Sequence, residues 1–111
     1  MIDVSARVRG GCLYGLSVTG HAGRRLELGD PVCAAVSVLV RSLFFYLENH
    51  PAIEYGFAFP ERGEAFLEVT GLPAEEFESW KGVCEFFLLG ITSVKADVPR
   101  SVDLQICEIE R

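Results

Sequence analysis

The 111-residue sequence predicts an α+β fold: two layers, with two helices packed on a mostly antiparallel sheet of about five strands, in the order ββαββαβ. Three observations carry this expectation. Apolar and polar residues alternate through most of the first eighteen positions, apolar residues recur at three- and four-residue steps in two later stretches, and Gly or Pro marks each change of period. The length suits a single domain over residues 1–111, with one modest core. Half of the residues are hydrophobic and 23% are charged, a globular balance that excludes disordered and fibrous classes.

Ile2, Val4, Ala6 and Val8 alternate with Asp3, Ser5, Arg7 and Arg9, and Tyr14, Leu16 and Val18 alternate again after Gly10-Gly11. This is the pattern of a hairpin with a two-residue glycine turn. Gly20 to Gly29 holds three glycines, two arginines and no apolar period, and reads as a surface loop. A loop of that length in so small a domain points to function. From Pro31 the period changes, and Val32, Val36, Leu39, Val40, Leu43 and Leu47 form one helical stripe. Asp30 suits the N-cap and Pro31 the first helical position, while Asn49-His50-Pro51 ends the helix, with His50 as a C-terminal cap. Two strands follow, Ile53 to Phe59 and Ala65 to Thr70, joined by a turn at Pro60-Glu61-Arg62-Gly63. Pro73 opens a second helix with Phe77, Trp80, Cys84, Phe87, Ile91 and Val94 on one face. Pro99 closes it, and Val102, Leu104 and Ile106 alternate as a last strand.

The N-terminal residues lack the apolar run of a signal peptide, and the longest nearly uncharged stretch, Pro31 to Val40, is about half the length of a spanning helix. The expectation is a soluble cytoplasmic protein without a membrane segment. Cysteines at positions 12, 33, 84 and 107 form no CxxC, and with two distant histidines they offer no zinc-ligand spacing, so neither a metal nor another cofactor is expected. Reduced thiols are the expectation in a cytosolic chain. A net charge of −6 argues against nucleic acid and favours a basic partner.

Counted from Asp30 as cap, Cys33 falls in the first helical turn, where unpaired backbone N–H groups and the helix dipole favour an anion and therefore a thiolate nucleophile. The amides of Cys33 and Ala34 are candidate donors to an oxyanion. The Asp30 carboxylate works against a nearby thiolate, and its more natural role is to cap the helix or orient His21. His21 opens the glycine-flanked loop twelve residues before Cys33, and a Cys–His pair is the minimum for thiol-based acyl transfer. Ser37 lies one turn after Cys33 on the same face. Each residue has an ordinary reading too. Cys33 beside Ala34-Ala35 is small packing material, His21 is a surface loop residue, and Ser37 bonds back to its own helix. Cys12, Cys84 and Cys107 follow strand or helix patterns and read as structural. Phe44-Phe45-Tyr46 and Phe86-Phe87 read as core, a dimer face or an apolar substrate groove.

Gly20-His21-Ala22-Gly23 followed by Asp30-Pro31-Val32-Cys33-Ala34-Ala35-Val36-Ser37 resembles the signature of the ribosomal-processing cysteine protease family Prp. The likeness extends over nearly the whole chain through the opening hairpin, the long helix after the cysteine, and the second helix with its Leu88-Leu89-Gly90. It implies a homodimeric protease that removes the N-terminal extension of large-subunit ribosomal protein twenty-seven, a basic substrate, cutting after an aromatic-rich motif. It further implies Cys33 as nucleophile, His21 as base, and Gly20, Asp30 and Ser37 as supporting positions, with a gating loop that includes Ala22, Gly23, Leu28 and Gly29. Two positions depart from the family pattern: Leu28 stands where a glycine is usual, with Gly29 following it, and Pro31 stands where isoleucine is usual. Competing functions are a non-enzymatic ribosome-assembly or protein-binding module, and a redox-sensing thiol protein.

Overall fold

A computed structural model describes residues 1–20 and 30–109. Strands β1 (Ile2–Arg9) and β2 (Cys12–Gly20) form the expected hairpin. Gly10 and Gly11 have φ of 59° and 85°, the left-handed pair that a two-residue hairpin turn requires. Further along come α1 (Pro31–Glu48), β3 (Glu54–Ala58), β4 (Glu64–Gly71), α2 (Phe77–Asp97) and β5 (Val102–Glu108). The α+β class and the order ββαββαβ are as predicted, in one five-stranded sheet ordered β3-β4-β2-β1-β5.

Boundaries differ where local geometry intervenes. β2 is longer than its alternating core because the tight turn pairs Cys12 directly with Arg9, and pairing continues to Gly20 opposite Ile2. The second helix opens later than Pro73. That residue is extended (φ −64°, ψ 149°) and starts a 3-10 turn, Ala74–Glu76, before α2. Antiparallel pairs join β1 to β2, β2 to β4 and β3 to β4, whereas β5 lies parallel to β1, with Ile2 opposite Val102.

Alternation along the strands separates the sheet faces. Ile2, Val4, Ala6 and Val8 are buried under the helices, while Asp3, Ser5 and Arg7 face outward. Val36, Val40, Leu43 and Leu47 of α1, with Trp80, Cys84, Phe87 and Ile91 of α2, complete the core. Trp80 is fully buried, and its indole Nε1–H donates to the Leu13 carbonyl of β2 at 3.0 Å, so its polar atom carries no desolvation penalty. By length and composition alone α1 is apolar enough to cross a membrane, with a mean hydropathy of 1.5 over 18 residues. The uncharged run from Pro31 to Val40 understated this property because Arg41 breaks it halfway.

The helix end at Asn49 corrects one sequence reading. Asn49 caps α1, its Nδ2 donating to the Phe45 carbonyl at 2.7 Å. The His50 side chain does not cap the helix. It faces Glu76, with Nδ1 3.3 Å from Oε2, and stacks on Tyr46 with centroids 3.9 Å apart. At the opposite end of α1, the Gly20 N–H donates to the Gly63 carbonyl at 3.1 Å, which ties the end of β2 to the turn between β3 and β4.

Candidate active site

Pro31 has a preset φ and no N–H to satisfy, so it starts α1 at no hydrogen-bonding cost. Asp30, extended at φ −89° and ψ 120°, caps the helix as the sequence predicts. Its Oδ1 accepts from Val32 N at 2.8 Å and from Cys33 N at 3.4 Å. Cys33 therefore sits in the first turn, half-buried between the core and the surface. The expectation of two vacant oxyanion donors needs revision. Ala34 N–H is held by the Asp30 carbonyl at 2.9 Å in a regular helical bond. Cys33 N–H already donates to Asp30, though over a distance long enough for an incoming oxyanion to compete for it.

A cleft of about 1370 Å³ opens beside Cys33, larger than the usual small-molecule pocket. Gly20, Asp30, Cys33, Ala34 and Ser37 all line it, so these five singled-out positions converge from β2, the cap and α1. Gly20 has φ 100°, a conformation strained for any side chain, and a Cβ there would overlap the Met1 carbonyl oxygen. Glycine is thus required at the position preceding His21. His21, Ala22, Gly23, Leu28 and Gly29 lie outside the described residues.

Sequence reasoning missed the second wall of the cleft. It comes from Phe59, Pro60, Glu61, Arg62 and Gly63 at the turn between β3 and β4, facing Phe44 and Phe45 of α1. Phe44 meets Phe57 edge-on at 5.5 Å and Phe59 at 5.7 Å, and the Phe57 and Phe59 rings stack at 5.0 Å. Phe44 and Phe45 line the cleft, whereas Phe87 is core. Tyr55, Phe57 and Phe59 at two-residue spacing were a visible signal of an aromatic strand face, but their opposition to α1 depends on strand order.

The remaining thiols lie elsewhere. Cys12 and Cys84 are fully buried, and Cys84 Sγ accepts from Leu13 N at 3.2 Å. Burial pushes the Cys84 thiol up to about 12 and raises that of Cys12 as well, so neither is a nucleophile at neutral pH. Cys107 is exposed on β5, away from the cleft, and not packed as its strand pattern suggested. Among the described residues, no three His, Cys, Asp or Glu side chains converge as a metal site.

A two-layer α+β domain whose half-buried cysteine occupies the capped first turn of a helix, at the head of a peptide-sized cleft, has the architecture of a small cysteine peptidase. The chain matches the cysteine protease Prp family over residues 1–103 and belongs to that family. It is a cysteine protease. Its fold is similar to that of SMU.848 from Streptococcus mutans, with 30% identity, a TM-score of 0.81, and coverage of 98% of this chain and 96% of that one. It is also similar to the essential ribosomal processing protease Prp from S. aureus in complex with a covalently linked product peptide. There the identity is 16%, the TM-score 0.80, and coverage 96% of this chain and 99% of that one. The S. aureus protease in complex with a substrate peptide gives a TM-score of 0.76 at 13% identity, over 96% of this chain and 99% of that one. No curated protein matches the sequence.

Proposed function

We propose that the protein is a cytoplasmic, homodimeric peptidase that removes the N-terminal extension of large-subunit ribosomal protein twenty-seven, cutting after an aromatic-rich motif. The observation that carries the reading is Cys33 in the first turn of α1, at the head of an aromatic-lined cleft, in a chain of the cysteine protease Prp family. His21 takes the Cys33 proton, the thiolate attacks the scissile carbonyl, the leaving amine departs with the proton, and water releases the acyl group. Asp30 holds the turn that carries the nucleophile, Ser37 lies one turn on along the cleft, and Gly20 sets the chain direction into His21. The segment containing Ala22, Gly23, Leu28 and Gly29 gates the site. The Cys33 N–H moves from Asp30 to the oxyanion as charge develops.

Three further features support the substrate and the assembly. Phe44 and Phe59, packed with Phe57, form an apolar wall of the cleft suited to apolar side chains of an extended peptide. The net charge of −6 favours capture of a basic ribosomal protein. Phe86 and Leu89 on α2 are the most exposed large apolar side chains among the described residues, at 73% and 67%, and suit a second copy. The S. aureus relative is a ribosomal processing protease and has been captured with both substrate and product peptides, in keeping with this reading.

The test mixes the purified protein with a synthetic peptide spanning the ribosomal protein's N-terminal extension and follows products by mass spectrometry. Cleavage after the aromatic stretch, abolished in Cys33→Ala and in His21→Ala, is expected. An intact peptide, or undiminished cleavage by Cys33→Ala, overturns the proposal. Sedimentation of the native chain and of Phe86→Glu reads the dimer independently.

A further inference from the structure

The position of the aromatic cluster relative to Cys33 specifies where along a peptide an apolar side chain is read. Cys33, Ser37 and Phe44 lie within about 40° of one another around the α1 axis at ~100° per residue, so they form one line down the helix. Phe44 is eleven residues beyond Cys33 in α1, about 16 Å along the axis at ~1.5 Å per residue. All three residues line the same cleft, and Phe45 and Phe59 close its far end. These last two rings are 54% and 48% exposed in the described structure, although Phe44 and Phe57 beneath them are packed. A solvent-facing aromatic shelf is therefore continuous with the nucleophile's cleft but well removed from the thiol.

An extended peptide advances about 3.3 Å per residue, so a chain seated at Cys33 reaches the shelf with its fourth to sixth residue. We infer that Phe44, Phe45 and Phe59 form a distal subsite that takes a bulky apolar side chain four to six residues from the scissile bond. This deepens the peptidase reading, resting on it only for the peptide's being the occupant. The shelf's aromatic walls select apolar bulk, and its distance makes the enzyme demand an extended segment rather than a dipeptide motif.

Disulfide trapping at Cys33 reads the subsite without requiring turnover. The probes are Gly/Ser peptides carrying one cysteine, capped as the mixed disulfide with 2-mercaptoethanol, and one Phe or Ala placed one to eight residues away on either side. The Cys33 thiolate attacks the peptide sulfur, the protein–peptide disulfide forms and 2-mercaptoethanol leaves as its thiolate, with no net oxidation. The protein carries Cys107→Ser to remove the exposed thiol. On one side of the cysteine, Phe at a spacing of four to six should withstand about tenfold more 2-mercaptoethanol than Ala at the same spacing. Phe59→Ala should bring the two together, and Phe45→Ala should act in the same direction. Both side chains are exposed, so neither truncation opens the core, and Trp80 fluorescence verifies folding. A flat spacing profile, an optimum confined to adjacent positions, a maximum that survives both truncations, or no trapping at Cys33 overturns the inference. The cleavage assay decides the peptidase reading separately: a peaked profile without cleavage sinks only that reading, and cleavage with a flat profile sinks only the subsite.

Discussion

Replacing Asp30 tests whether the turn that carries Cys33, the proposed nucleophile, is held by a cap or by a charge. In Asp30→Ala two backbone donors lose their acceptor: Val32 N, bonded at 2.8 Å, and Cys33 N, at 3.4 Å. Only the first is near ideal length, so the hydrogen-bonding loss is about 1 kcal/mol. No acidic residue occupies the first turn of α1, and Asp30 is therefore the charge that complements the helix N-terminus, adding about 0.5 kcal/mol. Asp30→Ala should cost about 1.5 kcal/mol, and Asp30→Asn, which keeps the side-chain acceptor, about 0.5 kcal/mol. At ~4 °C per kcal/mol for a domain of this size, the melting temperature falls by about 6 °C and 2 °C respectively. Urea titration followed by the single, buried Trp80 measures both. Equal losses in the two variants would refute the cap, and a loss below about 0.3 kcal/mol in Asp30→Ala would show that the first turn is held by other contacts.

Trp80→Phe removes the indole donor from the Leu13 carbonyl inside the core, and a loss of about 1–3 kcal/mol in chemical denaturation, followed by far-ultraviolet circular dichroism, is expected. Gly20→Ala forces a side chain into φ 100° against the Met1 carbonyl, and should lower stability by about 1–3 kcal/mol together with peptide cleavage. A fully stable Gly20→Ala would mean that the end of β2 relaxes freely. Cys84 titrates near 9.0 when unfolded and near 12 when folded, so above pH 9 the unfolded chain sheds the proton first. Stability contributed by the neutral thiol is complete below pH 9 and declines by about 1.4 kcal/mol per pH unit toward pH 12. The urea-derived difference between wild type and Cys84→Ala should accordingly shrink from pH 9 to pH 10.5, and a constant difference would contradict the burial of that thiol.

The parts of the fold visible in the sequence are those set by neighbouring residues. Gly10-Gly11 between two alternating runs defines the hairpin, and Asp30-Pro31 before a helical stripe defines the start of α1 and hence the place of Cys33. Relations between distant segments are not encoded so locally. The parallel pairing of β5 with β1 follows from the passage of α2 across the sheet, which the alternation of Val102, Leu104 and Ile106 does not reveal. The second cleft wall depends on β3 lying beyond β4 at the sheet edge, and His50 was misread because Glu76 is 26 residues away. The proposed partnership of His21 with Cys33 rests on the family resemblance, since twelve residues of separation give it no local signature.

Two demands meet at the first turn of α1. A stable helix start wants its leading amides bonded to Asp30, whereas an acyl-transfer site wants an amide turned toward the developing oxyanion. On the proposed mechanism, the distances suit both roles. Val32 N takes the short 2.8 Å bond and secures the cap, while the 3.4 Å contact leaves Cys33 N weakly held. The proposed transfer of that amide to an oxyanion would therefore sacrifice little of the cap's strength. Pro31 reinforces the arrangement, since its ring fixes the backbone entering the turn and it brings no N–H to compete for Asp30. Two helix-start residues thus keep Cys33 oriented while one donor stays exchangeable. Asp30→Asn should preserve cleavage to a far greater extent than Asp30→Ala, because the acceptor matters to the turn more than its charge does. Equal loss of kcat/KM in the two variants would instead assign the Asp30 charge a direct part in the chemistry.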